Sequence, residues 1–367
     1  MKKSILNRSI LLGLLLVLVI ISCDSDGISE DQAQIEYNRK ALLNNTFTHG
    51  ILPLHTAFIN QADVLKEIAT SFEQNSSLEN LLRIQGQWES LTAIWKQCEV
   101  YNIGEVEDSF IHTRINTWPT NYSNIEEYIN SSVPIDIDFI NSVGSSSKGV
   151  SAVEYLLFKS DQESVLAEMQ SDARRVDYLV ALVQDLSNLS NEIFSIWEGY
   201  GPTYISAVQN DLDGGLNQTV NAMVTLIEEI IYSKLGRPLG DYNGGIVDFE
   251  ETEAFRSDIS LALIKNNIEE LNRTFTGDYI ANTRKIGFDE YLRDINNDDL
   301  RIKIKEALEN IILEISLFDE SLNSALQNNL EKVFSLQSYC NDLLFLIKVD
   351  MASSTGSTIT FNDNDGD

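Results

Sequence analysis

Histidine and cysteine are both scarce in this chain, which holds only three of each among its 367 residues. The histidines are His49, His55 and His112, and the cysteines form neither a Cys-x-x-Cys pair nor an array with histidine. A structural zinc site takes its ligands from such arrays, so none is predicted. A serine hydrolase is also unsupported, because the chain has no Gly-x-Ser-x-Gly segment and few histidines that could act as its base.

Basic residues are few as well. The chain has 26 lysines and arginines against 56 aspartates and glutamates, which gives a formal net charge of -30. Nucleic acid and anionic lipid surfaces need a basic footprint on their partner, so no nucleic acid is expected to bind. Metal ions and small cationic ligands are electrostatically favoured, although solubility alone accounts for most of these carboxylates.

Proline is the third scarce residue, with five in the whole chain, and long stretches keep a helical period. Leu65, Ile68, Ala69 and Phe72 recur on one helical face, and the apolar residues of 304–322 do the same. Strand-like alternation bounded by turn residues is rare. The pattern therefore predicts an all-α fold, with helices of this length packed as two helical bundles.

Clusters of glycine, proline and serine are the strongest local signals for chain breaks. Three such clusters occur, at 141–148, 198–202 and 236–245. The second follows an apolar helical stripe that ends at Trp197, so the break is placed there. We predict a first bundle over about 35–200, a second over about 201–352, and a polar acidic tail over 353–367.

The N-terminus has the pattern of a lipoprotein signal peptide. Lys2, Lys3 and Arg8 precede an apolar run over 10–21, which is too short for a comfortable membrane span. The run ends in Ile20-Ile21-Ser22-Cys23, so we expect residues 1–22 to be a signal peptide and Cys23 to carry a lipid. An ordinary signal peptide with an incidental cysteine is the alternative. The polar, acidic stretch 23–34 is predicted to be a tether to the membrane, on the periplasmic side or at the cell surface.

The other two cysteines, Cys98 and Cys340, each lie on an apolar helical stripe. Two buried thiols that act as small apolar side chains are the default expectation. A disulfide between them is the alternative in an oxidising cell envelope.

The segment Gly149-Val150-Ser151-Ala152-Val153-Glu154-Tyr155-Leu156-Leu157 carries the most information. It resembles the signature helix of the imelysin family of peptidase-like proteins, in which Gly-x-His-x-x-Glu is followed by Tyr-Leu-Leu. Further landmarks of that family follow in the expected order: Ile51-Leu52-Pro53, the stretch from Trp88 through Trp95 to Glu99, the stretch from Asp108 through Arg114 to Pro119, Pro238-Leu239-Gly240, Glu253 to Ser257, and the ending 361–367. The resemblance covers nearly all of the chain after Cys23.

Histidine and glutamate at positions i and i+3 share one helix face and can reach one metal ion. Here Ser151 stands at the histidine position, and a hydroxyl is a much weaker metal ligand and no proton shuttle near neutral pH. Glu154 is a candidate ligand or base, or else a buried carboxylate paired with an arginine such as Arg114. His112 is the histidine best placed to approach Glu154. The candidate metal or ligand pocket consists of Glu154, Ser151, His112, Glu99, Asp108, Arg114 and Glu253.

Three functions are open at this point. The resemblance implies a non-catalytic envelope lipoprotein that acts in iron or metal acquisition, with iron or zinc, or a small cationic ligand, bound and with an envelope transport partner. The family name implies a metallopeptidase instead, but that chemistry needs several metal ligands, an open coordination position and a base. The third is a module that binds a peptide or another envelope protein in the groove between the bundles.

Overall fold

The computed structural model describes residues 30–280 and 286–360, with side chains from residue 34 onward. In those ranges the secondary structure is helical and contains no β-strand, which confirms the predicted all-α class. The α-helices are α1 (Glu30–Asn45), α2 (Leu52–Gln74), α3 (Leu78–Cys98), α4 (Glu105–Asp108), α5 (Ile111–Ile115), α6 (Tyr122–Asn130), α7 (Ile137–Ser142), α8 (Gly149–Phe158), α9 (Gln162–Ser171), α10 (Ala173–Ser206), α11 (Gly215–Glu228), α12 (Arg237–Leu239), α13 (Ser260–Thr276), α14 (Phe288–Asp294), α15 (Asp298–Ser316), α16 (Leu322–Asn328), α17 (Leu330–Phe345) and α18 (Ala352–Thr355).

Shorter helical segments connect some of these helices. They are π-helical at Thr46–Ile51, Glu229–Gly236 and Leu346–Met351, and 3-10 at Glu99–Tyr101, Ser145–Ser147 and Phe249–Glu251. A π-helical turn holds one more residue per hydrogen-bonded ring than an α-helical turn, and such turns are frequent at functional sites.

The helices form where the apolar residues recur at three- and four-residue spacing. In α2 the buried side chains include Phe58, Leu65 and Phe72, so the predicted face of this helix is the one that packs inward. In α15 the inward face carries Ile304, Leu308, Ile311 and Ile315, again as the spacing predicts.

Two groups of helices pack around the core. In the first, α2, α3 and α10 lie side by side, with α8 against α3 and α10. In the second, α15 packs on α13 and α17, and α11 packs on α17. The contact between α3 and α13 joins the two groups, and from Asn38 onward the described residues form one compact unit. Almost all of the buried apolar side chains in the described residues belong to one continuous core.

The predicted break at 198–202 is wrong, because α10 runs through it to Ser206 with Pro202 inside the helix. Gly201 is needed there for packing rather than for a turn: a Cβ at this position would lie 2.1 Å from the Phe47 ring. The other two breaks are confirmed. Helix α7 ends at Ser142 before α8 begins at Gly149, and α12 ends at Leu239 before Gly240 takes a φ of +90°.

Both ends of the described chain are more helical than the sequence indicates. The predicted tether overlaps α1 from Glu30 onward, and the predicted tail begins inside α18, which ends at Thr355. After α18, the backbone N–H groups of Thr358 and Thr360 donate to the side chains of Asn217 and Asn221 on α11. The predicted signal peptide and Cys23 lie outside the described residues. Among the described helices, none has the length and apolar character to cross a membrane.

Cys98 and Cys340 are free, buried thiols, which confirms the default expectation, and the disulfide alternative is wrong. Burial raises the pKa of the Cys340 thiol to about 12, so this side chain behaves as a small apolar group.

Candidate functional site

The signature helix α8 begins at a position that only glycine can occupy. Gly149 has a φ of +75°, and a Cβ added there would lie 2.3 Å from the carbonyl oxygen of Ile115. The indole Nε1 of Trp88 donates to the carbonyl oxygen of Val150 at 2.9 Å, which ties the start of α8 to α3. Residues 149–157 are all buried, so the signature faces the interior on every side.

Ser151 takes part in a hydrogen-bonded chain. Its Oγ donates to Oδ1 of Asn116 at 2.8 Å, and Nδ2 of Asn116 donates to Oε1 of Glu253 at 2.7 Å. The hydroxyl at the signature histidine position therefore connects, through one amide, to a carboxylate more than a hundred residues away in the chain.

Glu154 supports a loop. Its Oε1 accepts from the backbone N–H of Arg256 at 2.9 Å, from the backbone N–H of Ser257 at 2.8 Å and from Ser257 Oγ at 3.0 Å. The side chain is almost completely buried, and this burial raises the pKa of the Glu154 carboxyl although the bonds from Ser257 act against it. The Glu154 carboxylate thus accepts from backbone N–H groups of the segment 253–257. From the sequence, only the family resemblance put Glu154 and Glu253 in one pocket.

The side chains of two predicted pocket residues, Arg114 and Asp108, lie away from Ser151 and Glu154. The predicted partner of Glu154, Arg114, instead donates from Nη1 to Glu192 Oε1 at 3.0 Å on the half-exposed side of α10. That pairing prediction is wrong, because the described donors to Glu154 come from the 253–257 segment. Asp108 is exposed at the end of α4.

Glu99 and Glu253 come together around two lysines that sequence reasoning missed. Lys96 Nζ lies 2.5 Å from Oε1 of Glu99 and also pairs with Oε1 of Glu253, while Lys234 Nζ lies 3.0 Å from Oε2 of Glu99 and 3.2 Å from Oε2 of Glu253. We call these four residues the lysine–glutamate cluster. The side chains of Lys96 and Lys234 are 0% and 1% exposed, so both ammonium groups depend on these carboxylates for compensation.

Asn267 completes the cluster. Its Oδ1 accepts from Lys234 Nζ at 2.8 Å, and its Nδ2 donates to Glu99 Oε2 at 2.9 Å. Burial by itself would raise the pKa of the Glu99 carboxyl, but the ammonium groups of Lys234 and Lys96 outweigh it and lower that pKa to about 2. Burial would lower the pKa of Lys234, and the charges of Glu253 and Glu99 raise it instead. Glu99 and Lys234 are therefore both charged at physiological pH.

One sequence signal could have found the lysines. Lys96 follows the apolar stripe of Leu91 and Trp95, and Lys234 interrupts the apolar run that begins at Ile230. A lysine on an otherwise apolar helical face is rarely buried without a partner, so each of them predicts a buried carboxylate nearby.

A cavity of about 140 Å³ lies next to the cluster. Its lining shares Glu99 with the cluster and Asn116 with the Ser151 chain, and it includes two tryptophans, a histidine and two further glutamates: Trp95, Trp118, His112, Glu107 and Glu229. The ammonium groups of Lys96 and Lys234 lie 5.7 and 5.8 Å from the centroid of the Trp118 ring, within cation–π range.

Several buried polar atoms of the cavity lining have no hydrogen-bond partner among the described residues. They are Trp95 Nε1, Asn102 Oδ1, His112 Nδ1 and Trp118 Nε1. Trp95 is only 2% exposed. An orphaned buried donor or acceptor costs about 1–3 kcal/mol, and native proteins satisfy most of them with protein, water or a ligand. Because these atoms line one cavity, water or a polar ligand in that cavity can satisfy them.

Glu229 adds a carboxylate to the same cavity. It is the first residue of the π-helical segment Glu229–Gly236, in which Lys234 reaches the cluster, so this segment contributes to both parts of the site. Glu229 makes no hydrogen bond or ion pair with any residue that the structure describes. Burial raises the pKa of its carboxyl, with Lys234 acting against this rise and Glu99 adding to it.

His112 lies in the cavity lining rather than against Glu154, with no hydrogen bond between the two in the described part of the chain. Burial lowers the pKa of the His112 imidazole, and the charge of Glu99 opposes this effect. The imidazole is therefore mainly uncharged at neutral pH.

The family model of imelysin, peptidase M75, matches residues 51–345, which is most of the chain. The chain belongs to the imelysin family. The resemblance read from the signature helix is thereby confirmed, with Ser151 in place of the signature histidine.

Solved structures share the imelysin fold. An imelysin-like protein from Psychrobacter arcticum 273-4 is 19% identical, with a TM-score of 0.76 over 89% of this chain and 98% of that one. The "putative iron-regulated protein A precursor" from Parabacteroides distasonis ATCC 8503 is 17% identical, with a TM-score of 0.75 over 90% of this chain and 97% of that one. No curated protein matches the chain.

The described residues of the predicted pocket do not by themselves form a metal site. Within 30–280 and 286–360 there is no group of three histidine, cysteine, aspartate or glutamate side chains arranged to hold one. The carboxylates of Glu99 and Glu253 are already neutralised by ammonium groups, and Oε1 of Glu154 is already the acceptor of three bonds.

Proposed function

We propose that this imelysin is a non-catalytic lipoprotein of the cell envelope that acts in iron acquisition by binding a small cationic ligand in the cavity beside the lysine–glutamate cluster. The observation that carries the proposal is the set of unpartnered polar atoms around that cavity, above all Nε1 of the almost fully buried Trp95. A partly enclosed cavity with aromatic walls and a few convergent polar groups is the usual form of a small-molecule site.

The non-catalytic part of the proposal has its support in the signature helix. A metallopeptidase needs a metal with an open position and a base beside it. Ser151 and Glu154, the two signature residues, are committed to Asn116 and to the Arg256–Ser257 backbone. These bonds give both residues a structural role.

The iron part of the proposal has its support in the family. The Parabacteroides distasonis protein, whose name refers to iron regulation, shares the fold over almost its whole length. The excess of carboxylates in the chain favours cationic ligands over anionic ones. Because the described residues offer no protein-only ion site, we place a small cationic ligand, rather than bare iron or zinc, in the cavity.

Growth under iron limitation tests this function. A bacterium that lacks the native gene is grown with the iron chelator 2,2′-bipyridyl and is complemented with the wild-type chain, with Trp95→Phe or with Trp197→Phe. Trp197 is the matched control, because it is equally buried and its Nε1 is also unpartnered, yet it does not line the cavity.

We expect the wild type and Trp197→Phe to restore growth and Trp95→Phe to restore it poorly, at equal protein levels on an immunoblot. Equal rescue by both variants would show that the function does not depend on the cavity. Normal growth of the deletion strain in the presence of the chelator would contradict the role in iron acquisition.

A further inference from the structure

Two carboxylates of the cavity lining, Glu107 and Glu229, lie outside the lysine–glutamate cluster, and of these Glu107 is exposed to solvent. The lysine–glutamate cluster contains two ammonium groups and two carboxylates, which neutralise one another at distances of up to 3.2 Å. The ammonium groups of Lys234 and Lys96 act on Glu229, but both are already paired with Glu99 and Glu253. The negative charge of Glu229 therefore has no counterpart of its own among the described residues.

The hydrogen-bonding groups of the lining are of two kinds. Glu229 and Asn102 Oδ1 offer acceptors, which suit the N–H groups of a primary ammonium. The indole N–H groups of Trp95 and Trp118 can only donate, so they need an oxygen acceptor on the same ligand. His112 does not oppose a cation, because its lowered pKa keeps the ring mainly uncharged at neutral pH.

The volume of the cavity limits the size of its occupant. At about 140 Å³ it is close to the engineered protein cavity of about 150 Å³ that holds benzene. The occupant therefore has about six non-hydrogen atoms by the same comparison. A quaternary ammonium fits these groups less well than a primary one, since it has no N–H to give to Glu229 or Asn102.

We infer that the cavity binds a primary ammonium compound of about six non-hydrogen atoms that also carries an uncharged oxygen, with the ammonium at Glu229 and Asn102 and the oxygen at the indole N–H groups of Trp95 and Trp118. This inference rests on the proposed function in that it takes the cavity to be the ligand site.

Three probes of equal size test the inference by titration calorimetry with the full chain. They are 4-aminobutan-1-ol, which has both groups, pentan-1-ol, which lacks the ammonium, and pentan-1-amine, which lacks the oxygen. We expect saturable 1:1 binding of 4-aminobutan-1-ol at pH 7.5. Pentan-1-ol should bind at least about tenfold more weakly, because a charged hydrogen bond is lost. Pentan-1-amine should also bind more weakly than 4-aminobutan-1-ol, because it has no oxygen to accept from the indole N–H groups, and equal binding of the two would overturn the oxygen assignment.

The variant Glu229→Gln should weaken the binding of 4-aminobutan-1-ol about tenfold and leave the binding of pentan-1-ol unchanged. Glu309→Gln is the control, because Glu309 is exposed on α15 and the substitution removes the same charge away from the cavity. Thermal unfolding of both variants verifies that they are folded.

The inference fails if pentan-1-ol binds as tightly as 4-aminobutan-1-ol, if none of the probes binds, or if Glu229→Gln has no more effect than Glu309→Gln. These results are separable from the growth test. Absence of amine binding together with poor rescue by Trp95→Phe would overturn the ligand class and keep the proposed function. Amine binding together with full rescue by Trp95→Phe would keep the ligand class and overturn the proposed function.

Discussion

At the residue scale, the site depends on where charge is compensated. Lys96 and Lys234 are buried, and each contacts both Glu99 and Glu253, so removal of any one member leaves a buried charge unpaired. Glu154 is compensated differently, since N–H and O–H dipoles rather than a cation surround its Oε1. Glu229 has neither kind of partner in the described chain, which is why it is the residue that we assign to a ligand.

Acid should destabilise this protein through groups whose pKa values are lowered on folding, among them His55 and Glu99. Burial lowers the pKa of His55 from 6.5 to about 4, and the lysines lower the pKa of Glu99 from 4.5 to about 2. In both cases the unfolded chain binds more protons, so stability is lost as the pH falls, from about 6.5 to 4 for His55 and from about 4.5 to 2 for Glu99. Each contributes on the order of 3 kcal/mol at pH 7.

Urea unfolding at pH 7 and pH 4.5 measures the His55 part. His55→Leu, which cannot titrate, should lose less free energy of unfolding between these two pH values than the wild type does. An equal loss in both proteins would show that His55 is not the group responsible.

Glu154 should matter for stability and not for metal binding. Glu154→Ala removes the acceptor of three bonds and is expected to lower the free energy of unfolding by about 2–4 kcal/mol. Hydrogen exchange of the Arg256 and Ser257 amides should speed up. The control Glu192→Ala breaks only the half-exposed pair with Arg114, which is worth less than about 1 kcal/mol. Saturable binding of ferrous, ferric or zinc ions that Glu154→Ala abolishes would contradict the structural role.

At the element scale, helix boundaries and unusual turns position the site. Helix α8 begins where Gly149 adopts a positive φ against the 114–115 carbonyl groups, and this places Ser151 opposite Asn116. The π-helical segment Glu229–Gly236 directs residues into both the cavity and the cluster. The long helix α10 lies against α2 and α8 and supports the signature helix from behind.

A pair of glycine substitutions tests how tightly the start of α8 is specified. Gly149→Ala should destabilise the protein by about 2 kcal/mol or more, because the backbone φ is unfavourable for alanine and the new Cβ would lie 2.3 Å from the Ile115 oxygen. Gly86→Ala, inside α3 with nothing within 4 Å of the new Cβ, should stabilise by about 0.5–1 kcal/mol.

Thermal and urea unfolding of the two variants gives the comparison directly. A Gly149→Ala protein as stable as the wild type would mean that the turn before α8 can relax, and the placement of Ser151 would then need another cause.

At the scale of the whole molecule, two helical groups meet through α3 and α13, and the site lies where they meet. Lys96 and Glu99 come from the end of α3 and the turn after it, Asn267 comes from α13, and Lys234 comes from the segment after α11. The charge cluster is therefore also a bond between the two groups of helices.

The predicted lipid anchor is a property of the whole chain and stays a prediction. Cys23→Ser should move the protein from the membrane fraction to the soluble fraction and abolish labelling by a palmitate analogue. Cys98→Ser, which changes a buried thiol, should leave fractionation and labelling unchanged. Membrane association and labelling that persist in Cys23→Ser would contradict lipidation at this residue.

Local patterns predicted much of the fold and only part of the site. The apolar spacing in α2 and α15 specifies helices, because it depends on residues within one or two turns. The break at 198–202 was misread, because Gly201 serves close packing against Phe47 rather than a turn. Glu99, Glu253 and His112 are among the predicted pocket residues, but Lys96, Lys234, Trp118 and Glu229 are not. A lysine on an apolar helical face indicates that a carboxylate lies nearby, but nothing local indicates which distant group it meets.

By itself, the sequence determined the helical class, the start of the signature helix at Gly149 and the membership of the imelysin family. Each of these rests on periodicity, backbone conformation or residue order along the chain. Only the tertiary structure decided that Lys96 meets Glu253, 157 residues away, that Glu154 holds the backbone of Arg256 and Ser257, and that a polar cavity opens beside them. The physical reason is that charge compensation and burial depend on which helices become neighbours.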